Sequence, residues 1–178
     1  TVANNHITIS IQERSIHGII GENGAGKTTL MKQLYGMYRP DEGEIYLHGK
    51  KVVFHSPKDA ISCRIGMVHQ HFTLVPSMTV TENIILGRPI LKNGIIDIRK
   101  SKEIIQKLCE KYGFEMNLDT KIERLPVGLK QRVEILKALY LGADILILDE
   151  PTAVLTPQEI TELFETLKNL RDMGASII

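Results

Sequence analysis

This sequence lacks long apolar runs and any large excess of charge, and each lack excludes a class of protein. No uninterrupted apolar run approaches the roughly 18 residues that a membrane-spanning helix needs, and the N-terminus has no secretory signal pattern. The net charge is only +1, from 22 basic and 21 acidic residues. A nucleic-acid-binding protein usually carries a basic surplus. We therefore expect neither a membrane span nor a nucleic-acid partner.

Cysteine is scarce as well. Cys63 and Cys109 lie far apart and in no metal-ligand spacing, which favours two free thiols in a reducing cytoplasm. The chain of 178 residues, 43% of them hydrophobic, is ordinary for one globular domain with a substantial core. It begins without an initiator methionine and stops at Ser176-Ile177-Ile178, which is typical of the opening of a strand. We therefore expect a partial domain, truncated at both ends.

The most informative stretch that is present is a glycine-rich loop ending in Lys27-Thr28, which fits the pattern G-x-x-x-x-G-K-[ST]. Its glycines allow successive N–H groups to point at an anion, and the following helix presents its positive end. Lys27 would reach the β and γ phosphates of a nucleotide, and the Thr28 hydroxyl would ligate Mg²⁺. The predicted ATP-binding residues are Gly21, Glu22, Asn23, Gly24, Ala25, Gly26, Lys27, Thr28 and Thr29.

A glycine-rich turn before a helix is the alternative interpretation of this loop. The flanking residues favour the nucleotide site, because 16–20 reads as a buried strand and 29–35 has the apolar spacing of a helix. Further strands are predicted at 6–11 and 65–69, and 44–47 with 52–54 should form an antiparallel hairpin. The sequence thus predicts an α/β core with an antiparallel β layer.

The middle of the chain has helical patterns. Thr79-Val80-Thr81-Glu82 is a capping box, and two further helices are predicted from apolar spacing at 104–112 and 133–139. We predict one domain, in which residues 1–71 and 142–178 form the core and 72–141 a helical subdomain inserted between its halves.

A continuous apolar run, Ile145 to Leu148, ends in Asp149-Glu150. Such a run is typical of a strand buried on both faces of a parallel sheet, and ligands gather at the carboxyl ends of such strands. Two acids after an apolar strand are more often a solvated strand end, but downstream of a phosphate loop they indicate the metal acid. A second capping box at Thr156 should begin a helix that ends near Gly174.

Together with Gln70 and the segment Leu125 to Arg132, these motifs resemble the nucleotide-binding domain of ABC transporters over essentially the whole chain. The stretches after Val127 and Asp149 are most similar to the first ATPase domain in the ATP-binding subunits of simple-sugar and nucleoside importers. The resemblance implies a P-loop NTPase fold with a RecA-like core.

The resemblance also implies roles for single residues. Asp149 would hold Mg²⁺ through water opposite Thr28, Glu150 would polarise the attacking water, and Gln70 would sense the metal and the γ-phosphate. The implied catalytic residues are Glu150, Gln70 and Lys27, and the implied Mg²⁺ residues are Thr28, Gln70 and Asp149. An adenine-stacking aromatic and a switch histidine are expected outside the chain.

Two positions depart from the family pattern. The signature segment, which caps the γ-phosphate of ATP held by the partner domain, reads Leu125, Pro126, Val127, Gly128 and Leu129. Pro126 replaces a serine and so removes a hydroxyl and an N–H, which predicts weaker closure. Thr156 replaces an acid, so the helix cap should be kept while the charge is lost.

From the resemblance we expect an ATPase at the cytoplasmic face of the membrane that powers import of a nucleoside or simple sugar. Its implied partners are a membrane permease, a second ATPase domain (in the same chain or a homologous one) in a head-to-tail dimer and, indirectly, a periplasmic or lipoprotein solute-binding protein. Two alternatives stay open: an ABC-type ATPase that does not serve transport, and a nucleotide-binding regulatory module with little turnover.

Overall fold

The computed structural model describes residues 2–178 of the protein. The helices are α1 (Lys27–Leu34), α2 (Pro57–Ser62), α3 (Val80–Ile85), α4 (Ile98–Tyr112), α5 (Val127–Tyr140) and α6 (Pro157–Asp172). The strands are β1 (Ile45–Leu47), β2 (Lys50–Val52), β3 (Ile65–Val68), β4 (Leu91–Lys92), β5 (Ile95–Ile96), β6 (Ile145–Leu148) and β7 (Ser176–Ile177). The α/β fold class predicted from the sequence is confirmed.

A parallel sheet with the strand order β3, β6, β7 forms the centre of the core. Strand β6 is buried on both of its faces, as its continuous apolar sequence predicts. Leu146 and Leu148 pack into a large cluster with α3 to α6, and Ile147 packs into a smaller cluster on the opposite face. The smaller cluster contains Met31 of α1 and Ala60 of α2. The sheet therefore separates α1 and α2 from the other four helices.

Helices α3, α4 and α5 contact one another between β3 and β6 in sequence. The predicted capping box of α3 is present, since Thr79 accepts from the Glu82 N–H and Glu82 accepts from the Thr79 N–H at 2.7 Å. Helix α4 begins earlier than its apolar spacing indicates, because Asp97 caps it. On its inner face Cys109 is buried, and burial raises the pKa of its thiol to about 11.

The predicted antiparallel layer is a single hairpin of β1 and β2. Its second strand lies two residues earlier than expected, because His48-Gly49 form a tight turn with φ of 49° and 74°. Val53 is left exposed, while Phe54 turns into the smaller cluster. A second hairpin, β4 with β5, was not predicted from the sequence.

Two predicted strands are wrong in the structure. Residues 6–11 alternate in polarity but form no strand, because no described segment pairs with them, and Ile7 and Ile9 are exposed. Residues 16–20 form only one parallel bridge, between Ile16 and Ile177, because β7 offers two residues for pairing. Within residues 2–178, no helix is long and apolar enough to cross a bilayer.

Candidate functional site

The glycine-rich loop leads directly into α1, as its sequence predicts. Gly26 is the N-cap of α1 with a φ of 90°, a conformation that glycine adopts without strain. A Cβ at Gly26 would also lie 2.3 Å from the Ala3 carbonyl oxygen, so no larger residue fits. The Lys27 ammonium donates to the carbonyl oxygens of Gly21 at 2.7 Å and Glu22 at 2.9 Å. The lysine therefore folds back over the loop and brings a positive charge to it.

Asp149 meets the phosphate loop although the two are distant in sequence. The Thr28 hydroxyl donates to Asp149 Oδ1 at 2.9 Å. Asp149 is buried at 7% exposure and follows β6, and its N–H donates to the Val68 carbonyl at the end of β3. Because both parallel strands end here, the sheet holds the carboxylate against the start of α1.

Glu150 and Gln70 also come together. The Gln70 amide nitrogen donates to Glu150 Oε2 at 2.8 Å, and both side chains are exposed. Glu150 has a φ of 49°, a left-handed conformation that is rare for glutamate and that clusters at functional sites. The structure thus places Gln70 beside Glu150. Among the described residues, no hydrogen bond joins Gln70 to Thr28 or Asp149. The role of Gln70 in binding Mg²⁺ therefore stays a prediction.

Glu134 of α5 is a site residue that the sequence reasoning missed. It is 5% exposed and accepts from the Thr73 N–H at 2.6 Å and from the Thr73 hydroxyl at 2.9 Å. These bonds attach the segment after Gln70 to α5. A charged residue between two apolar ones, Val133 and Ile135, was the signal available in the sequence.

The signature segment lies at the start of α5, with Pro126 as N-cap. Pro126 provides no side-chain cap for the helix. Instead, the Gly128 N–H donates to Glu159 Oε1 of α6 at 3.0 Å. Among the described residues, the hydrogen bonds of this segment run to α6, within α5 and from the Leu125 N–H to the Ile122 carbonyl, and none reaches the phosphate loop.

Two further contacts attach the first turns of α5 to the loop after Glu150 and to α6. The Gln131 amide nitrogen donates to the Pro151 carbonyl at 2.7 Å, with Gln131 only 3% exposed. Arg132 pairs with Glu162 at 2.5 Å. The sequence predicted no role for Gln131, Arg132 or Glu162, because the bonded residues are 20 and 30 positions apart.

The residues present fit Mg-ATP. Thr28 Oγ1 and Asp149 Oδ1 are adjacent oxygens, the ligand type that Mg²⁺ prefers beside phosphate oxygens. The loop offers backbone N–H groups, a lysine and a helix N-terminus to the phosphates. The Ala3 carbonyl lies so close to Gly26 that the loop has no room for a side chain at position 26.

Comparison with known sequences agrees with this geometry. The profile of the ABC transporter family matches residues 4–153. The guanosine import ATP-binding protein NupO of Bacillus subtilis (strain 168) is 51% identical over 177 residues, which is 99% of this chain and 35% of that protein. The ribose import ATP-binding protein RbsA of Caldanaerobacter subterraneus subsp. tengcongensis is 45% identical over 174 residues, 97% of this chain and 35% of that protein. The chain thus spans about a third of the length of these curated relatives.

Solved structures show the same fold. A nucleotide-free ATP-binding cassette from an ABC transporter matches with a TM-score of 0.85 at 26% identity, over 98% of this chain and 73% of that chain. The ADP conformation of an ATP-binding cassette matches with a TM-score of 0.82, also at 26% identity, over 96% of this chain and 71% of that chain.

Proposed function

Because the chain belongs to the ABC transporter family, we propose that it binds and hydrolyses Mg-ATP to power import of a nucleoside or simple sugar through a partner membrane permease. The observation that carries the proposal is the bond from Thr28 to Asp149 at 2.9 Å, which joins the phosphate loop to an acid at the end of a buried strand. The relatives whose names specify guanosine and ribose import support the solute class.

Each residue of the site has a task in this proposal. The loop 21–29 cradles the phosphates, and Lys27 exchanges the Gly21 and Glu22 carbonyls for phosphate oxygens. Thr28 and Asp149 hold Mg²⁺, which supplies charge neutralisation at the phosphates. Glu150 orients the attacking water and accepts its proton.

Gln70 reports on the state of this site. Its bond to Glu150 occupies one oxygen of that carboxylate. A water that binds Glu150 there would release Gln70, and the segment after Gln70 is attached to α5 through Thr73 and Glu134. Movement of Gln70 is thus transmitted to α5. We propose that the segment 70–82 contacts the permease.

A second ATPase domain, arranged head to tail, completes the site. In this proposal the signature segment 125–129 caps the γ-phosphate of ATP bound to the partner domain. ATP then closes the pair and hydrolysis opens it. A peripheral position at the cytoplasmic face of the membrane follows from docking on the permease.

ATP hydrolysis by the native full-length protein tests the enzymatic part. We expect Glu150→Gln to keep ATP binding and to lower the hydrolysis rate by a factor of about 100 or more, as for loss of a general base. Glu165→Gln, an exposed glutamate of α6, is the matched control and should hydrolyse at the wild-type rate. Equal rates in all three proteins would contradict the role of Glu150.

The transport part needs a separate measurement. A thermal-shift panel of nucleosides, pentoses and hexoses on the associated solute-binding protein should show stabilisation by one class, because a ligand stabilises the folded protein that binds it. Co-purification of a permease with the native protein supports the same conclusion. Failure of both would favour an ABC-type ATPase that does not serve transport.

A further inference from the structure

The carboxylate of Glu159 serves two helices at once. Its Oε2 accepts from the Thr156 N–H and hydroxyl, both at 2.9 Å, and so caps its own helix α6. Its Oε1 accepts from the Gly128 N–H of α5 at 3.0 Å. The hydrogen bonds from Thr156 and Gly128 hold the pKa of Glu159 below its ordinary value. At neutral pH both oxygens of the anion are therefore engaged.

The contact with α5 replaces a missing cap. Pro126, the N-cap residue of α5, has no side chain able to accept from the first turn. Glu159 places its negative charge at this helix N-terminus, where the aligned peptide dipoles favour an anion. The fit is close, since a Cβ at Gly128 would lie 2.7 Å from Glu159 Oε1. Glycine at this position therefore allows the carboxylate to reach the backbone.

We propose that Glu159 is a positioning residue for the signature segment: it binds the Gly128 N–H and must release it when the γ-phosphate held by the partner domain arrives. This inference rests on the proposed function of residues 125–129. The Gly128 N–H cannot donate fully to two anions, and a carboxylate beside a triphosphate adds like-charge repulsion. Glu159 thereby raises the ATP concentration at which two domains close.

The exchange disturbs little else in the chain. After release, Oε2 of Glu159 still caps α6 through Thr156. Gln131 still holds the Pro151 carbonyl, and Arg132 still pairs with Glu162. Only the Gly128 contact changes, so its release affects ATP-driven closure while the cap of α6 is kept.

Glu159→Gln tests the proposal because glutamine has one acceptor oxygen and cannot accept from both helices. Glutamine is accepted at this position of a capping box, so α6 should stay capped while the Gly128 N–H is freed. Asp59→Asn is the matched control. Asp59 forms a capping box with Ser56 on α2, accepts from the Ser56 N–H at 3.0 Å and has no described bond to α5.

The measurement is the ATP concentration for half-maximal closure of the two ATPase domains, within one chain or between two, in the native full-length protein with the Glu150→Gln substitution, which we expect to keep ATP bound. We expect Glu159→Gln to lower this concentration by a factor of roughly 3 to 10, as for loss of one competing charged hydrogen bond, and Asp59→Asn to leave it unchanged. Amide hydrogen exchange at Gly128 without nucleotide should become faster in Glu159→Gln only.

The outcomes separate this inference from the proposed function. An unchanged or higher ATP requirement in both Glu159→Gln and Glu159→Ala, with normal closure of the two domains in the parent, overturns the inference alone. Unchanged exchange at Gly128 overturns it as well. If ATP closes no pair of ATPase domains in the parent, the proposed function of the signature segment fails and the inference falls with it.

Discussion

At the scale of single residues, the site contains one strained backbone, at Glu150, and two charged side chains, Glu150 and Lys27, that form hydrogen bonds within the chain. Glu150 has a left-handed backbone conformation, and its carboxylate accepts one hydrogen bond from Gln70. Lys27 is bound to two carbonyl oxygens of its own loop. Each of these contacts occupies a group that the proposed function needs elsewhere. ATP and water can therefore bind at these groups only by replacing the bonds that they make within the chain.

Pro126 is the residue whose effect is most directly testable. As N-cap of α5 it offers neither a hydroxyl nor an N–H. We expect Pro126→Ser to raise ATP turnover of the native full-length protein by roughly threefold or more, the effect of about one added hydrogen bond to the phosphate in the closed state. The steady-state rate at saturating ATP measures this.

Pro89→Ser is the control for that experiment, because Pro89 is exposed and lies outside the signature segment. Its turnover should equal that of the wild type. A Pro126→Ser protein without any gain would mean that the proline does not weaken closure.

At the scale of helices, capping boxes begin α2, α3 and α6. In α6 the Thr156 side chain accepts from the Glu159 N–H, and the Glu159 carboxylate returns to the Thr156 N–H. The cap expected at Thr156 is therefore present. Thr156 itself carries no negative charge, but Glu159, three residues later, does. A capping box thus places an anion at the junction of α5 and α6.

We expect Thr156→Ala to lower the free energy of unfolding by about 1 kcal/mol, because the first turn of α6 loses its side-chain acceptor. Thermal or urea unfolding of the native protein measures the change. Thr161→Ala lies inside the same helix at an exposed position, where alanine is the better helix former, and should lose no stability. Equal stability of the two variants would argue against the cap.

The capping carboxylates also predict a response to acid. Bonds from the Thr79 N–H and the Thr156 N–H lower the pKa values of Glu82 and Glu159 below the ordinary 4.5. A group with a lowered folded pKa stabilises the fold above its unfolded pKa, and this contribution is lost as the pH falls through the folded pKa. The melting temperature should therefore fall as the pH drops below about 4.5.

The double variant Glu82→Gln, Glu159→Gln isolates this contribution, since glutamine does not titrate. Its melting temperature at pH 7 should be lower than that of the wild type, and the difference should shrink at pH 3. A constant difference across this range would show that these two carboxylates do not contribute to the acid response.

At the scale of the whole molecule, α5 packs closely on the parallel sheet. Gly66 of β3 lies under this contact. A Cβ there would approach the Cβ atoms of Ala138 at 2.8 Å and Ala143 at 2.9 Å. Only glycine allows the helix and the strand to pack so closely, and α5 carries both Glu134 and the signature segment.

We expect Gly66→Ala to lower the free energy of unfolding by roughly 1 to 3 kcal/mol, as overpacking of a core does. Urea unfolding of the native protein gives the value. Gly18→Ala is the control, because no atom lies within 4 Å of its added Cβ. If Gly66→Ala were as stable as Gly18→Ala, the close contact between α5 and β3 would be wrong.

The sequence by itself determined the local features of this protein. These features are the phosphate loop, the capping boxes at Thr79 and Thr156 and the apolar run of β6. Each depends on residues within a few positions of one another, so it can be predicted without knowing the fold. The family, and with it the α/β fold class, followed from motifs of this kind. The roles of Glu150, Gln70 and the signature segment remain predictions carried by the same motifs.

The tertiary structure alone decided which distant residues meet. Parallel pairing of β3 with β6 brings Asp149 to Thr28 and Glu150 to Gln70, and helix packing brings Glu159 to Gly128. Residues 6–11 form no strand in the structure. Their alternating polarity could give a strand one apolar face, but a strand also needs a neighbouring strand to form hydrogen bonds with. Hydrogen bonds between segments depend on the path of the whole chain, and no local pattern encodes that path.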